Sequence, residues 1–381
     1  MLAAVVFQLL GTDPESKARR GRLTTAHGEI ETPAFMPVGT QGTVKAISPD
    51  ELTEELDAQI ILGNTYHLHL RPGLEVIREF GGLHPFMRWD RPILTDSGGY
   101  QVFSLAKLRK ITREGVKFQN HLNGATMMLT PELSMEIQAT LGSDIAMYFD
   151  ECPPYPCERE YAKKSLDLTN HWALRCKAWT EANAPKEQLH FGIVQGSIYA
   201  DLREASAKAL VDLDLDGYAV GGVSVGEPEE EMFRAVDNAE PFLPAEKPRY
   251  AMGLGTPPQL VEMIGRGIDM FDCVLPTRLA RHGTALTNQG PINLKNERFK
   301  KDTRPIEENS DSYPCRKGFS RAYLRHLLKA NEILGLRLIS LHNLHFYLSL
   351  ARRAREALDA SCFTRFRQGF ISEYYKSDPS K

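Results

Sequence analysis

The sequence is poor in cysteine, with 6 among 381 residues, and these are spread widely along the chain. Small proteins that depend on disulfides carry cysteine at a far higher density, so a disulfide framework is excluded and a reducing, cytoplasmic location is expected. Long apolar runs are also missing: none approaches the roughly 18 residues of a membrane span, so no membrane association is expected. Residues 1–10 are apolar but lack the basic lead-in of a signal peptide, and we expect a first strand there.

An excess of either charge is missing as well, since the formal net charge is −3. A strongly basic chain would attract nucleic acid over much of its surface, so any RNA binding here must depend on a local basic patch. Hydrophobic residues make up 42% of the chain, which is enough for a large core. The length suits an α/β barrel with additions.

Short apolar segments alternate with helical segments over most of the chain. Eight segments have strand character: residues 33–39, 58–63, 92–95, 144–149, 189–194, 217–222, 249–253 and 270–275. Because short buried strands joined by helices form a parallel sheet, this alternation predicts a TIM-like (β/α)8 barrel. An open doubly wound sheet is the alternative, but no Gly-x-Gly-x-x-Gly motif opens a helix after the first strand.

Additions to the barrel are expected at three places. Ala26-His27-Gly28 marks an N-terminal hairpin, and Asn123-Gly124 marks a second β-hairpin region inserted within residues 102–129. The periodicity ends after residue 285, and the chain becomes strongly helical from residue 320. We therefore predict a catalytic barrel with its N-terminal hairpin over residues 1–285. A loop-rich, helical C-terminal subdomain over residues 286–381 would pack on the barrel.

Polar residues or glycines recur where the predicted barrel strands end, namely at Asp96, Asp150, Gln195, Gly221, Gly222, Gly253 and Asp272. A barrel of this type places its active site at the carboxyl ends of its strands. A single aspartate at a strand end is usually a turn former or a cap. Several suitable positions at one face indicate a functional site.

Three features among these positions, together with the nearby Tyr100, suit the recognition of a guanine-like base. The Asp150 carboxylate accepts hydrogen bonds, the Gln195 amide can donate and accept, and the Gly221-Gly222 turn offers a backbone N–H. Tyr100 can stack on a base, an interaction worth ~1–3 kcal/mol by alanine substitution. The sequence therefore predicts a pocket for a flat, hydrogen-bonding ligand.

Asp96 and Asp272 form a carboxylate pair suited to displacement at an anomeric carbon. One carboxylate can attack while the other transfers protons, as in retaining glycoside chemistry. Two displacements at one site predict ping-pong kinetics and net retention. Arg278 and Arg281 follow Asp272 on what we expect to be a loop, where they can pair with phosphates.

At these residues the sequence resembles bacterial tRNA-guanine transglycosylases, the queuine tRNA-ribosyltransferase family, over nearly the whole chain. The matching segments are Thr95-Asp96-Ser97-Gly98-Gly99-Tyr100-Gln101, Phe149-Asp150-Glu151-Cys152, Ile193-Val194-Gln195-Gly196, Tyr218-Ala219-Val220-Gly221-Gly222, Tyr250-Ala251-Met252-Gly253, Met270-Phe271-Asp272-Cys273-Val274-Leu275-Pro276-Thr277-Arg278 and Ser320-Arg321-Ala322-Tyr323-Leu324. The resemblance implies that the wobble guanine of tRNAs with GUN anticodons is exchanged for 7-aminomethyl-7-deazaguanine, a queuosine precursor. It also implies a covalent enzyme–RNA intermediate and a homodimer.

The resemblance further implies roles for individual residues. Asp272 would be the nucleophile and Asp96 the general acid and base. The base would be bound by Asp96, Ser97, Gly98, Gly99, Tyr100, Asp150, Gln195, Gly221, Gly222 and Met252, with Tyr100 and Met252 on its two faces. RNA would be contacted by Gly253, Leu254, Gly255, Thr256, Pro257, Pro258 and Gln259 and by Thr277, Arg278, Leu279, Ala280 and Arg281.

A few further residues bear on the identity of the incoming base. The resemblance places the exocyclic amine of that base near a backbone carbonyl at Val223, where the family usually has leucine, and Ser224 replaces an alanine. Val44, Cys152 and Val225 match bacterial enzymes where the queuine-using eukaryotic enzymes differ. These matches favour the aminomethyl precursor, with queuine as the alternative.

The sequence departs from the family at its structural zinc site, which is formed by a Cys-x-Cys-x-x-Cys motif and a later histidine. Here Ser310 and Ser312 replace two of the cysteines, so that only Cys315 and His342 remain. A serine hydroxyl does not ionise near neutral pH and is a poor zinc ligand. We expect zinc to be absent or weakly bound. The packing expected to hold the subdomain instead involves Tyr323, Leu324, Leu327, Phe346 and Tyr347.

Two other functions are compatible with parts of the sequence. A hydrolytic nucleosidase or glycosidase on the same barrel would release guanine without incorporating another base. A non-catalytic RNA-binding partner subunit would bind tRNA only. The presence of both Asp96 and Asp272 argues against the second alternative, because a binding subunit needs no nucleophile.

Overall fold

The computed structural model describes residues 6–100 and 109–376, and its centre is a closed barrel of eight parallel strands. These are β1 (Ala34–Gly39), β2 (Ile61–Gly63), β3 (Ile93–Thr95), β4 (Ile145–Met147), β5 (Leu189–Val194), β6 (Gly217–Val220), β7 (Arg249–Ala251) and β8 (Met270–Cys273). Strands adjacent in the chain pair with each other, and β8 pairs with β1 through Met270 opposite Ala34 to close the barrel. The predicted (β/α)8 architecture is confirmed, and closure excludes the open sheet.

Helical segments follow each barrel strand. They are Glu51–Glu55, a π-type turn, after β1; Thr65–Leu70, Leu74–Phe80 and Leu83–Met87 after β2; Pro131–Leu141 after β3; Arg159–Asn183 after β4; Ala200–Val211 after β5; Glu229–Asp237 and a short 3-10 turn, Glu240–Phe242, after β6; Pro257–Gly265 after β7; and Leu275–Arg281 after β8. A capping box precedes the first of them, because Ser48 Oγ accepts from the Glu51 N–H and a Glu51 carboxylate oxygen accepts from the Ser48 N–H. Among these helices and those that follow, none in the described ranges has the length and apolar character needed to cross a bilayer.

An N-terminal antiparallel sheet closes the bottom of the barrel. Its strands are Phe7–Thr12, Arg19–Thr25 and Gly28–Thr32, which confirms the predicted hairpin at Ala26-His27-Gly28. Three of its side chains join the apolar interior of the barrel, namely Phe7, Leu23 and Ile30. The first strand begins later than expected, and residues 1–5 lie outside the described residues.

Asp144 joins this sheet to the barrel. Its carboxylate accepts hydrogen bonds from the backbone N–H groups of His27 and Ile93 and lies 2.8 Å and 3.2 Å from ring nitrogens of His27 and His84. The two imidazole rings stack with centroids 3.6 Å apart and planes 15° apart. Nearly parallel rings at this separation cannot both direct a nitrogen lone pair, in the ring plane, at one ion. The three side chains therefore form a hydrogen-bonded cluster that fastens the sheet, not a metal site.

A second antiparallel sheet is inserted between β3 and the helix Pro131–Leu141, as predicted. Its strands are Arg109–Thr112, Gly115–Gln119 and Thr126–Leu129. Asn123-Gly124 lies in the connection between the last two strands, although that connection, residues 120–125, is longer than a two-residue turn. Residues 102–108 of the expected insertion lie outside the described residues.

The C-terminal part contains more regular structure than expected. A hairpin of Thr284–Thr287 and Gly290–Asn293 is followed by the 3-10 turn Glu297–Phe299 and the helices Tyr313–Arg316, Arg321–Lys329, Ile333–Asp359 and Phe363–Tyr375. We expected loops directly after residue 285, and this hairpin corrects that expectation. Its two strands have four residues each, which is too short to show a strand pattern in the sequence. The division of the chain after residue 285 stays a prediction.

The long helix Ile333–Asp359 fixes this part to the barrel. Tyr347 is fully buried, its ring lies 4.7 Å from that of Phe35 in β1, and its hydroxyl donates to the carbonyl of Gly255 at 2.7 Å. Of the packing residues expected from the sequence, Leu324, Leu327, Phe346 and Tyr347 are buried. Tyr323 is 41% exposed, so the prediction that it belongs to this core is wrong.

Candidate active site

Most of the predicted site residues surround one cavity of about 350 Å³ at the carboxyl ends of the barrel strands. Those that line it are Asp96, Ser97, Tyr100, Asp150, Gln195, Gly221, Gly222, Met252, Gly253, Asp272 and Arg278. Residues that the sequence analysis did not single out also line it, among them Val38, Thr40, Leu62, Asn64, His67, Tyr250 and Val274. Gly98 and Gly99 do not line the cavity, and Gln101 lies outside the described residues.

Asp272, at the end of β8, is held by two donors on one carboxylate oxygen. The Tyr250 hydroxyl donates to Oδ1 at 2.5 Å, and the Gly253 N–H donates to the same atom at 2.7 Å. Because both bonds fall on Oδ1, Oδ2 is the oxygen that can be presented to a ligand. Burial raises the pKa of Asp272, while these two donors lower it. Tyr250 was missed, although it stands inside a strand segment that the resemblance already included.

Asp96, directly after β3, has a raised pKa although its carboxylate accepts several hydrogen bonds. Its carboxylate accepts from the Asn64 side chain at 2.5 Å and from the N–H groups of Thr65 and Gly98 at 3.1 Å. Burial nevertheless raises the pKa of Asp96 to about 7, and the negative charges of Asp272 and Asp150 act in the same direction. Asn64 and Thr65 directly follow β2, so the strand-end pattern could have found them.

Asp150 is presented to the cavity by two side chains. Ser97 Oγ donates to Oδ1 at 2.8 Å, and Gln195 Nε2 donates to Oδ2 at 2.8 Å. Burial raises the pKa of Asp150 to about 6 against the effect of these donors. A side chain at Gly99 would place its Cβ 2.6 Å from the Asp150 carbonyl oxygen. Glycine at this position therefore lets the Asp150 backbone approach closely.

The floor of the cavity beside Asp150 is formed by small and apolar groups. Gly222 has a φ of +61°, a conformation that glycine adopts without strain. Cys152, Val223 and Val225 also line the cavity, and burial raises the pKa of the Cys152 thiol, which keeps it neutral. Val44, by contrast, is fully buried in the hydrophobic core and is not among the lining residues.

The segment after Asp272 is a helix and not the expected loop. Leu275–Arg281 is helical because Pro276 suits the first turn of a helix. Arg278 and Arg281 are on its exposed side, whereas Thr277 and Ala280 are buried. Only part of this predicted RNA-binding segment therefore faces solvent.

The other predicted RNA-binding segment, residues 253–259, is likewise only partly exposed to solvent. Gly253 is exposed, but its N–H donates to Asp272. At the start of the helix Pro257–Gly265, the Thr256 N–H donates to the Gln259 side-chain oxygen at 2.8 Å. Gly255 is partly exposed, with its carbonyl bound by Tyr347. The remaining side chains of this segment are buried: Leu254, Pro257 and Pro258.

Comparison with known proteins identifies the family to which this barrel belongs. The sequence model named "Queuine tRNA-ribosyltransferase" matches residues 13–376. The chain belongs to the queuine tRNA-ribosyltransferase family. Similar queuine tRNA-ribosyltransferases include that of Natranaerobius thermophilus, 56% identical over 371 residues that cover 97% of this chain and 99% of the relative. That of Lysinibacillus sphaericus is 55% identical over 378 residues (99% and 98%), and that of Staphylococcus aureus strain JH9 is 54% identical over 373 residues (98% and 97%).

Queuine tRNA-ribosyltransferases bind zinc, and the corresponding residues of this chain meet in a buried cluster. His342 Nδ1 lies 2.8 Å from Ser312 Oγ and 3.6 Å from Cys315 Sγ, and His342 Nε2 lies 2.6 Å from the carbonyl oxygen of Leu286. A carbonyl only accepts, so Nε2 carries the proton and Nδ1 accepts from Ser312. Burial lowers the pKa of His342 to about 4, which keeps the ring neutral.

This donor set does not fit a closed zinc site. Such a site needs four strong ligands, and here one thiol and one imidazole are accompanied by hydroxyl groups. Ser310 Oγ accepts a hydrogen bond from the Ser312 N–H at 3.3 Å instead of facing the imidazole. The Ser312–His342–Leu286 hydrogen bonds occupy both nitrogens of the ring.

Proposed function

We propose that this member of the family is a tRNA-guanine transglycosylase that exchanges the wobble guanine of tRNAs with GUN anticodons for 7-aminomethyl-7-deazaguanine. One observation carries the proposal: the carboxylate of Asp272, whose Oδ1 is held by Tyr250 and Gly253, shares a cavity with Asp96, whose pKa is about 7. A nucleophile beside a group that can both give and take a proton is what double displacement at a nucleoside needs.

In the first half-reaction, Oδ2 of Asp272 attacks C1′ of the ribose. The C1′–N9 bond breaks and its electron pair stays on guanine, which is protonated by Asp96. In the second half-reaction, the incoming base transfers its ring N–H proton to Asp96 and attacks C1′, which releases the Asp272 carboxylate. Two inversions give net retention at C1′.

The base would be recognised along its hydrogen-bonding edge. Asp150 accepts from N1–H and the exocyclic amine of guanine, while Gln195 and the Gly222 N–H donate to the 6-oxygen. Tyr100, 46% exposed, and Met252, partly buried, both line the cavity and would sandwich the ring. The polar partners are held by each other before the base arrives, so little reorganisation is needed.

Cys152 and Val225 support the aminomethyl precursor as the incoming base, because both match the bacterial enzymes and line the cavity. Val44 is buried in the core and does not line the cavity, so it affects base binding only through the packing around the site. Valine in place of the usual leucine at residue 223 enlarges the site slightly, so queuine is the alternative incoming base. RNA binding would rest on Arg278 and Arg281, which are the exposed cations nearest to Asp272 along the chain.

A homodimer is proposed from exposed apolar groups in the C-terminal part. Phe319, Tyr323 and His326 stack in a row on and before the helix Arg321–Lys329. Ile333 and Leu334, at the start of the next helix, are 72% and 38% exposed. Apolar patches of this kind mark interaction surfaces.

We further propose that the C-terminal part is stable without tightly bound zinc, through packing and the Ser312–His342–Leu286 hydrogen bonds. All six cysteines are thiols outside any disulfide, which agrees with the expected cytoplasmic location.

The function is tested with radiolabelled guanine and a tRNA that carries a GUN anticodon. The wild type should incorporate the label, and Asp272→Asn should not. Asp212→Asn, an exposed aspartate after the helix Ala200–Val211, is the control and should remain active. Release of guanine without incorporation would indicate the hydrolase, and tight tRNA binding without either reaction would indicate the non-catalytic subunit.

A further inference from the structure

Arg203 is a fully buried cation that reaches from the helix Ala200–Val211 towards the base-binding loops. Its Nε donates to the Ser197 carbonyl at 2.7 Å, and its Nη1 donates to the carbonyls of Val194 and Gly221 at 3.0 Å and 2.6 Å. Nη2 donates to the Gly222 carbonyl at 3.2 Å. All four acceptors belong to the backbone where β5 and β6 end.

No carboxylate in the described part of the chain forms an ion pair with this guanidinium. Glu227 acts on Arg203 at a distance, but its two carboxylate oxygens accept from the N–H groups of Ser224 and Val225. Burying an unpaired cation is unfavourable because the charge loses its hydration, so buried arginines usually have an acidic partner. Burial lowers the pKa of Arg203 to about 10, and it remains charged at neutral pH.

The bond to Gly221 has a direct consequence for the cavity. The Gly221 carbonyl and the Gly222 N–H belong to one planar peptide, in which they point in opposite directions. Arg203 lies on the carbonyl side, so the Gly222 N–H faces away from it, where it reaches the Cys152 thiol that lines the cavity. Hydrogen bonds in such a chain polarise one another, and a cation on the carbonyl strengthens the N–H as a donor.

We propose that Arg203 is a positioning residue that stabilises the negative charge on the 6-oxygen of the departing guanine, acting through the Gly221–Gly222 peptide. The inference rests on the proposed function. When the C1′–N9 bond breaks, the electron pair left on the purine is delocalised onto the 6-oxygen until Asp96 protonates the base. The Gly222 N–H meets that oxygen, and Arg203 supplies the positive charge behind it. This arrangement acts as an oxyanion hole formed by a polarised peptide.

The test compares guanine with 2-aminopurine, which lacks the 6-oxygen, as inhibitors of label exchange. Arg203→Gln keeps an amide that can bond to the carbonyls but removes the charge, and Arg203→Lys keeps the charge with fewer donors. The ratio of the 2-aminopurine to the guanine inhibition constant should fall about tenfold in Arg203→Gln and less in Arg203→Lys, because only guanine loses a contact. The rate at which the covalent adduct forms in a single turnover should fall more in Arg203→Gln than in Arg203→Lys.

A purely structural role would weaken both bases by the same factor and leave the ratio unchanged, and this result would overturn the inference. Should Arg203→Gln not fold, the ratio in Arg203→Lys decides the question alone, since an unchanged ratio there is also contrary to the proposal. Failure of the proposed function is separate, because the wild type would then incorporate no guanine. A wild type that exchanges guanine, with an unchanged ratio in both variants, would refute the role of Arg203 only.

Discussion

The hydroxyl of Tyr250 donates a hydrogen bond to Oδ1 of Asp272 at 2.5 Å. The two residues stand on neighbouring strands, β7 and β8, whose pairing fixes their separation. The bond stabilises the carboxylate form of Asp272 and turns Oδ2 towards the cavity. After attack by Oδ2, Oδ1 becomes the carbonyl oxygen of the ribosyl ester, and the same donor then favours departure of the carboxylate.

Tyr250→Phe should therefore impair both half-reactions. A hydrogen bond to a charged group is worth ~1.5–3 kcal/mol, so kcat for guanine exchange should fall roughly 10- to 100-fold with a smaller change in KM. Loss of the donor also raises the pKa of Asp272, so the acidic limb of the pH–rate profile should move to higher pH. Tyr148→Phe is the control, since that hydroxyl bonds to Thr180 outside the cavity. An unchanged kcat in Tyr250→Phe would show that the bond does not assist the nucleophile.

Asp96 should destabilise the fold at high pH. Its pKa is about 7 in the folded protein against an ordinary value of 3.8, so the stability it contributes is present below pH 3.8 and lost as pH rises through 7. Asp96→Asn removes this titration, and its melting temperature relative to wild type should rise between pH 5 and pH 8, by the equivalent of roughly 1–3 kcal/mol. Asp212→Asn, a change at an exposed aspartate that does not line the cavity, is the control. A pH-independent difference for Asp96→Asn would contradict the raised pKa.

Zinc binding should be recoverable by changing two residues. Ser310→Cys combined with Ser312→Cys restores three thiols beside the imidazole of His342, and this variant should bind about one zinc ion per chain. A chelator should then lower its melting temperature, whereas the wild type should hold little zinc and melt unchanged. Adding Cys315→Ser to the double variant should remove the gain. Stoichiometric zinc that survives dialysis of the wild type would contradict the proposal.

Arg278 and Arg281 should contribute to tRNA affinity through phosphate contacts. Replacing either by Gln should raise KM for tRNA, leave KM for free guanine unchanged and reduce the dependence of tRNA affinity on salt by about one counterion. Arg88→Gln, an exposed arginine at the base of the barrel, is the matched control. A salt dependence equal to that of the wild type would exclude phosphate contact by the altered arginine.

The exposed apolar surface should hold two subunits together. Ile333→Glu and Tyr323→Glu should shift sedimentation velocity from dimer towards monomer, because a charge placed in an apolar interface must be desolvated. Leu174→Glu alters a leucine on the helix Arg159–Asn183 that is 56% exposed, between Tyr323 and Ile333, and should leave the oligomeric state unchanged. Sedimentation of the wild type as a monomer would refute the interface.

The sequence could predict the barrel because strand ends and helix starts are marked by local chemistry, such as the capping box of Ser48 and Glu51. It could predict Asp96, Asp150 and Asp272 as neighbours because the carboxyl ends of parallel strands meet at one face. The sequence could not predict Tyr250 or Arg203, because their roles depend on hydrogen bonds that form only in the folded barrel. Tyr250 bonds to Asp272 on the neighbouring strand, and Arg203 bonds from a helix to carbonyls where β5 and β6 end. The prediction of a loop over residues 275–281 was wrong, because a proline beside arginines suits a loop and a first helical turn equally well.

The buried contact between Ser312 and His342 has a consequence for how the protein matures. A closed metal site makes the folding of its surroundings depend on the supply of that metal in the cell. Here the polar groups of the cluster are satisfied by the chain itself, at the Ser312 hydroxyl and the Leu286 carbonyl. Under the proposed zinc-independent stability, newly made chains would complete this region without acquiring an ion, and modification of tRNA would continue when zinc is scarce.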